Sequence, residues 1–90
     1  MSRRDTRDRE HIDVVMRASV SEAFGAVVRD RRAELHLTQQ ALADACGLHR
    51  NYIGGIERGE RNPSLTQIVR LADGLALRSG ELLSRLDERL

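Results

Sequence analysis

Fifteen arginines and no lysine supply all the fixed positive charge in this 90-residue chain. A guanidinium is a planar fork that grips phosphate, or the edge of guanine, through two parallel hydrogen bonds. Fourteen acidic residues reduce the net charge to +1, so no overall field draws the chain to a polyanion. Recognition through arginine therefore depends on where individual arginines sit. The absence of lysine is read first as genome base composition. Other reactive chemistry is scarce. His11, His36 and His49 lack the paired spacing of metal ligands, so no metal site is expected. Cys46, the single cysteine, is read as a small buried apolar residue rather than a redox sensor. No nucleophile stands with a base. Gly54-Gly55 falls inside a helical pattern, not after a strand, so it is no phosphate-cradling loop. The expectation is a non-enzyme with no cofactor and no small-molecule ligand.

The elements that hold these residues follow from composition and periodicity. The length suits one domain. With 40% hydrophobic and 32% charged residues, the chain should fold and stay in solution. One cysteine excludes an internal disulfide framework and fits a reducing cytosol. No apolar run approaches the roughly 18 residues that span a bilayer. Met1-Ser2-Arg3-Arg4 lacks the apolar stretch of a secretion signal. A cytoplasmic location without membrane contact is expected.

Residues 1–18 are read as an N-terminal arm, partly disordered, and 19–90 as the folded domain. Ser19 with Glu22 reads as a capping box that opens a helix over 20–36. Val20, Phe24, Val27, Val28 and Leu35 share its apolar face, which Arg31 alone interrupts. Thr38 caps a second helix over 39–46, with Leu42, Ala43 and Cys46 inward and Gly47 as a left-handed stop. A third helix covers 50–58. Ser64 and Gln67 form a capping box for a fourth, with Leu65, Ile68, Leu71, Ala72 and Leu75 inward. A fifth starts near Ser79 and carries Leu82, Leu83, Leu86 and Leu90 on one side. The fold class is all-α, a compact bundle of about five short helices.

Residues 39–58 carry the functional signal. Two short helices joined by a tight turn form a helix-turn-helix, whose second helix enters the DNA major groove. Its steric demands are met by Ala43 where the helices cross, Gly47 in the turn and Ile53 as the inward anchor, with Ile56 one turn on. The run Leu37-Thr38-Gln39-Gln40-Ala41-Leu42-Ala43, then Gly47-Leu48, then Tyr52-Ile53-Gly54-Gly55-Ile56-Glu57-Arg58-Gly59 resembles the phage-repressor/Cro-like (XRE-type) DNA-binding family. Arg61-Asn62-Pro63-Ser64-Leu65 and Leu82-Leu83 extend the resemblance, which runs from about Val20 to Leu83. In style it is nearest to compact stand-alone regulators, including restriction–modification controllers.

The resemblance implies a lambda-repressor-like bundle and a set of DNA-binding residues. Gln39 would touch a phosphate. His49, Arg50 and Asn51 would meet base edges, with Arg50 suited to guanine and Asn51 to adenine or a phosphate. His49 is also read as a helix cap. Tyr52 is read either as a contact to phosphate or a thymine methyl, or as a half-buried packing residue. Arg61 and Asn62 would reach backbone or bases. Ser64 would cap the fourth helix and offer its amides to a phosphate. Arg58 is read as a surface or ion-pairing residue. The family also pairs an acid at Glu57 with a base at Arg32, which predicts a salt bridge between them.

Three positions depart from the family pattern. Gly54 stands where serine is common, and Gly55 offers no side chain next to it. The glycine that usually ends the fourth helix is at Gly74 rather than at Ala76, so either the helix stops early or Ala76 is strained. Ala41 replaces the acid of a capping box after Thr38.

The function expected is a sequence-specific transcriptional regulator of a bacterial type, bound to an inverted repeat in double-stranded DNA as a homodimer. Leu82, Leu86 and Leu90, with Leu77, are expected at the dimer contact within the C-terminal helix 79–90. The arm is read as an idle tail, a DNA contact through Arg3, Arg4, Arg7 and Arg9, or a dimer element through Ile12, Val15 and Met16. The alternative function is an antitoxin or bridging module that uses the same domain to bind protein.

Overall fold

A computed structural model describes the backbone of residues 6–90 and side chains from Val15 onward. Five α-helices follow one another: α1 (Thr6–Glu34), α2 (Gln39–Cys46), α3 (Arg50–Glu57), α4 (Leu65–Gly74) and α5 (Ser79–Asp87). No strand occurs among the described residues. The core joins Phe24, Val27 and Val28 of α1 to Leu42, Ala43 and Cys46 of α2, Ile53 and Ile56 of α3, Leu71, Ala72 and Leu75 at α4, and Leu82 of α5.

The first helix differs from expectation at both ends. It runs without a break through Ser19, so Ser19 and Glu22 do not form an N-terminal capping box. No Gly or Pro lies between Thr6 and Phe24 to stop it. An amide inside a continuous helix already bonds to the carbonyl four residues back, which leaves a serine nothing to cap. Thr6–Ala18, expected as an arm, are the first turns of α1; residues 1–5 lie outside the described residues. At its other end α1 stops at Glu34 rather than at 36.

That stop is one of four built alike. His36, Gly47, Gly59 and Ala76 all take left-handed backbone. In each case the next residue's amide reaches five residues back: Leu37 to Arg32, Leu48 to Ala43, Glu60 to Gly55 and Leu77 to Ala72, at 2.9–3.1 Å. This is the Schellman arrangement, which satisfies carbonyls at a helix end. Three of the four following residues are leucines, of which Leu48 and Leu77 pack against the core. At Gly47 and Gly59 the conformation costs nothing. At Ala76 it strains a β-carbon, and the packing of α4 on α2 accounts for the glycine at 74: a β-carbon there would stand 2.4 Å from Cys46 Sγ. Glycine at 74 lets α4 approach α2, and Ala76 carries the strain. Ala76→Gly should therefore stabilise the fold by about 0.5–1 kcal/mol, the left-handed penalty less the extra freedom of the unfolded chain. A denaturation midpoint that falls instead would contradict this account.

Arg31 interrupts the apolar face of α1 for a similar reason. Its Nε donates to Leu75 O at 2.9 Å and its Nη2 to Ala76 O at 3.4 Å. The guanidinium thus caps the C-terminal end of α4, where the helix dipole favours a cation. It also pairs with Glu34, which in turn meets Arg85 of α5. These two arginines, Arg31 first, hold the Glu34 carboxyl below its ordinary range.

Two expected placements are corrected. Leu65, assigned to the inward face of α4, is 79% exposed, because it opens the helix before its packed turn begins. Leu82, assigned to a dimer contact, is fully buried in its own core and has no surface left for a second copy. Leu86 packs partly against that core, whereas Leu83 is exposed, as is Leu90. The expected helix over 79–90 ends at Asp87, because the amides of Arg89 and Leu90 bond only three residues back, to Leu86 O and Asp87 O, which tightens the chain out of the α-helix and leaves Leu90 beyond it.

Candidate nucleic-acid interface

The site begins with the cap geometry of α2 and α3. Thr38 Oγ1 accepts the amide of Ala41 at 3.0 Å and starts α2 without the acidic partner of a full capping box. Gly47 turns the chain, and His49 begins α3 by accepting the amide of Asn51 on Nδ1 at 3.1 Å. That bond requires an unprotonated Nδ1, so the neutral ring carries its proton on Nε2. His49 is therefore a cap and still presents an outward donor. Arg50 and Asn51 follow it, both exposed. Ile53 and Ile56 on the opposite side of α3 are fully buried. One short helix thus has an anchored apolar side and a polar first turn free in solvent.

Beneath α3 lies an ion pair that fixes its angle. Arg32 of α1 meets Glu57 in two parallel bonds, Nε to Oε2 at 2.7 Å and Nη2 to Oε1 at 2.9 Å. The remaining nitrogen, Nη1, donates to Leu37 O at 2.9 Å. Only 5% of the Glu57 side chain is exposed. These bonds hold the Arg32 guanidinium above its ordinary pKa. Gln39 adds a third donor, its Nε2 lying 3.1 Å from Glu57 Oε1. The residue expected at a phosphate is thus tied to the buried carboxylate. It also rims a shallow polar pocket shared with Arg50, Asn51, Gly54 and Arg58.

A second cluster joins α3 to α4. Tyr52 is half-buried, and its hydroxyl donates to Gln67 Oε1 at 2.5 Å. The same oxygen accepts the amide of Ser64 at 2.9 Å, while Ser64 Oγ accepts that of Gln67 at 3.3 Å. Ser64 therefore acts as the expected cap. Tyr52 packs partly against the core, and burial pushes its phenol above the ordinary value, with the charge of Arg61 opposing. Arg61 lies over the Tyr52 ring, 5.9 Å from the centroid. Asn62 is exposed and lines a hollow with Met16, Arg17, Val20 and Ser21 of α1. Arg58 pairs with Glu60 at 3.1 Å, both well exposed.

Cys46 is buried, and desolvation, followed by the charge of Asp73, pushes its thiol up to about 11. It therefore remains a protonated thiol at neutral pH, consistent with a packing role. Among the described residues no group of His, Cys, Asp or Glu could hold a metal ion, and no helix is long and apolar enough to cross a membrane.

The helix-turn-helix family profile matches residues 28–82, more than half of the chain. The chain belongs to the helix-turn-helix family. Within the family, control protein C.SmaI of Serratia marcescens is 41% identical over 66 residues, 73% of this chain and 79% of that protein. The restriction-modification controller protein C.AhdI of Aeromonas hydrophila superposes with a TM-score of 0.67 at 44% identity, over 69% of this chain and 94% of that one. The controller C.Esp1396I, solved as a tetramer in complex with its natural 35 base-pair operator, superposes with a TM-score of 0.73 at 28% identity, over 78% of this chain and 92% of that one.

Sequence reasoning on this helix-turn-helix domain missed two kinds of residue. Gly25 is one: a β-carbon there would stand 2.3 Å from Ile56 O and 2.8 Å from Glu57 O, so α1 crosses the end of α3 on bare backbone. Arg31 is the other. Gly25 carries no local signal and Arg31 only its place in an apolar face, since the partner that explains each comes from a distant part of the chain.

Proposed function

We propose that this chain is a sequence-specific transcriptional regulator that lays α3 in the DNA major groove. The observation that carries the reading is the first turn of α3. His49, Arg50 and Asn51 stand exposed on a helix whose other side is locked by Ile53, Ile56 and the Arg32–Glu57 pair. A rigid helix with a free guanidinium, amide and imidazole donor is suited to reading base edges, Arg50 on guanine and Asn51 on adenine. Gln39, Ser64, Arg61 and Asn62 surround it and suit phosphate contacts that set register. The named relatives are control proteins, and C.Esp1396I is described on its operator. Both favour this reading over an antitoxin or bridging module, and over any enzyme. Its place is the cytoplasm, with its DNA.

One such domain reads only a few base pairs. Useful specificity needs two half-sites about 10 base pairs apart, and hence a homodimer. The proposed contact is α5 and the residues just after it, through Leu86 and Leu90. Leu90, beyond the end of the helix, is 67% exposed, and Leu83 of α5, also exposed, joins it. Replacing Leu83 and Leu90 together by Glu should shift the sedimentation of the protein from dimer to monomer. An unchanged profile would move the contact elsewhere, for which the exposed pair Leu65 and Val69 on α4 is available.

The direct test is selection of bound duplexes from a random DNA pool at physiological salt. A two-fold symmetric motif with half-sites one helical turn apart is the expected result. Arg50→Ala should then lose about 1–3 kcal/mol on that motif and relax one base position. Equal losses on every duplex would make Arg50 a phosphate contact. Failure of the wild-type chain to enrich any motif would favour the protein-binding alternative.

A further inference from the structure

We propose that Gly54 and Gly55 are positioning residues of the DNA-reading surface. Each leaves bare backbone on α3 as a seat for one arginine beyond it, Gly54 for Arg58 and Gly55 for Arg61. The proposal rests on the DNA-binding reading above and adds to it two positions without side chains, together with Arg58.

A β-carbon on Gly54 would stand 3.0 Å from Nη1 of Arg58 and 3.8 Å from Nε2 of Gln39. One on Gly55 would stand 2.9 Å from Cγ and 3.3 Å from Nε of Arg61. At Gly54 the near neighbour is the far end of Arg58, which could swing away, and at Gly55 it is the stem of Arg61, an exposed side chain that would have to take another rotamer. This separates the two from Gly25, whose β-carbon would meet backbone. Backbone angle does not demand glycine either, since the positive-φ glycines are Gly47 and Gly59. A helix interior favours alanine over glycine. Neither the packing of the core nor the path of the chain therefore accounts for two glycines in succession. The space they leave is the space the arginines occupy.

Each arginine also has a second hold. Arg58 Nε donates to Glu60 Oε1 at 3.1 Å. Arg61 lies over the Tyr52 ring, and Tyr52 is itself bonded to Gln67. Arg58 shares its pocket with Gln39, Arg50 and Asn51, which places it on the face that carries the reading residues. A guanidinium already held against a helix loses less rotamer freedom when it binds. The two seats thus convert two surface side chains into ordered forks for the phosphate oxygens or guanine edges of a duplex.

The test compares Gly54→Ala and Gly55→Ala, each alone and combined with loss of its arginine (Arg58→Ala or Arg61→Ala), in the full chain. The probes are duplexes enriched by the wild-type protein, the Tm, and the ring resonances of Tyr52, the single tyrosine. Gly55→Ala should hold or raise the Tm, move the Tyr52 resonances as Arg61→Ala does, and weaken the enriched duplex by about tenfold. That weakening should vanish in the Arg61→Ala background, and Gly54→Ala should depend on Arg58 in the same way. Unmoved Tyr52 resonances in Gly55→Ala would overturn the proposal. So would a binding loss that persists in full without Arg61, which would make Gly55 a point of direct approach by DNA. If no duplex is enriched, the regulator reading fails, while the Tyr52 resonances still decide whether Gly55 seats Arg61.

Discussion

Arg32→Ala should cost about 3–5 kcal/mol of folding stability, because it strands a buried carboxylate without its cation. Glu57 has almost no exposure, and both its oxygens accept from the lost guanidinium. Gln39 alone would remain to meet it, through one neutral bond. Domains of this size are stable by only about 5–15 kcal/mol, so the loss is a large share of the whole. It should lower the Tm by about 15 °C or more. Arg32→Lys should recover little, since an ammonium cannot make two parallel bonds to Glu57 and a third to Leu37 O. Replacing the pair together, Arg32→Met with Glu57→Leu, should recover most of the stability, because a buried pair gains little over packed apolar groups. Thermal denaturation of the three variants checks the account, and an unchanged Tm for Arg32→Ala would refute it. The same contact links stability to function. Glu57 closes α3, so releasing it would free the angle of the helix that carries Arg50 and Asn51.

Gly25→Ala is expected to be about as damaging, at about 3 kcal/mol or more. Overpacking is usually relieved by a side chain that turns aside. Here the added methyl meets two carbonyl oxygens of the backbone, those of Ile56 and Glu57, which cannot turn aside without breaking the end of α3. The helices must separate instead, which would loosen Phe24 and Val28 from Ile53 and Ile56 and lengthen the Arg32–Glu57 bonds. Chemical denaturation measures the effect, and a midpoint equal to that of the wild type would show that the crossing has room. Ala26 is a suitable control, since Ala26→Gly at the next position of the same helix should cost only the propensity difference of about 1 kcal/mol.

Most of the backbone plan is legible in the sequence, because its signals are local. Thr38 and Ser64 bond to amides within three residues, and Gly47 bends the chain at its own φ. The spacing of Leu42, Ala43, Cys46, Ile53 and Ile56 states which sides of α2 and α3 face inward, and the turn between them then identifies the helix-turn-helix. The start of α1 was not legible, since a capping pattern at Ser19 looks the same whether the preceding residues are helical or not. Leu82 and Leu83 are neighbours on α5 that the sequence puts on one side, and only the packing of α1 and α4 against that helix separates the one in the core from the one in solvent.

Sequence by itself determined the helix order, the caps of α2, α3 and α4, the helix-turn-helix and the residues at the head of α3, since each depends on neighbours a few positions away. Tertiary structure alone decided the tasks of Arg31, Gly25 and Gly74. Arg31 finds its carbonyl partners 44 and 45 residues further on. Gly25 and Gly74 are required by a backbone or a side chain from another helix. Such requirements are set by distances through space, which no periodicity along the chain encodes.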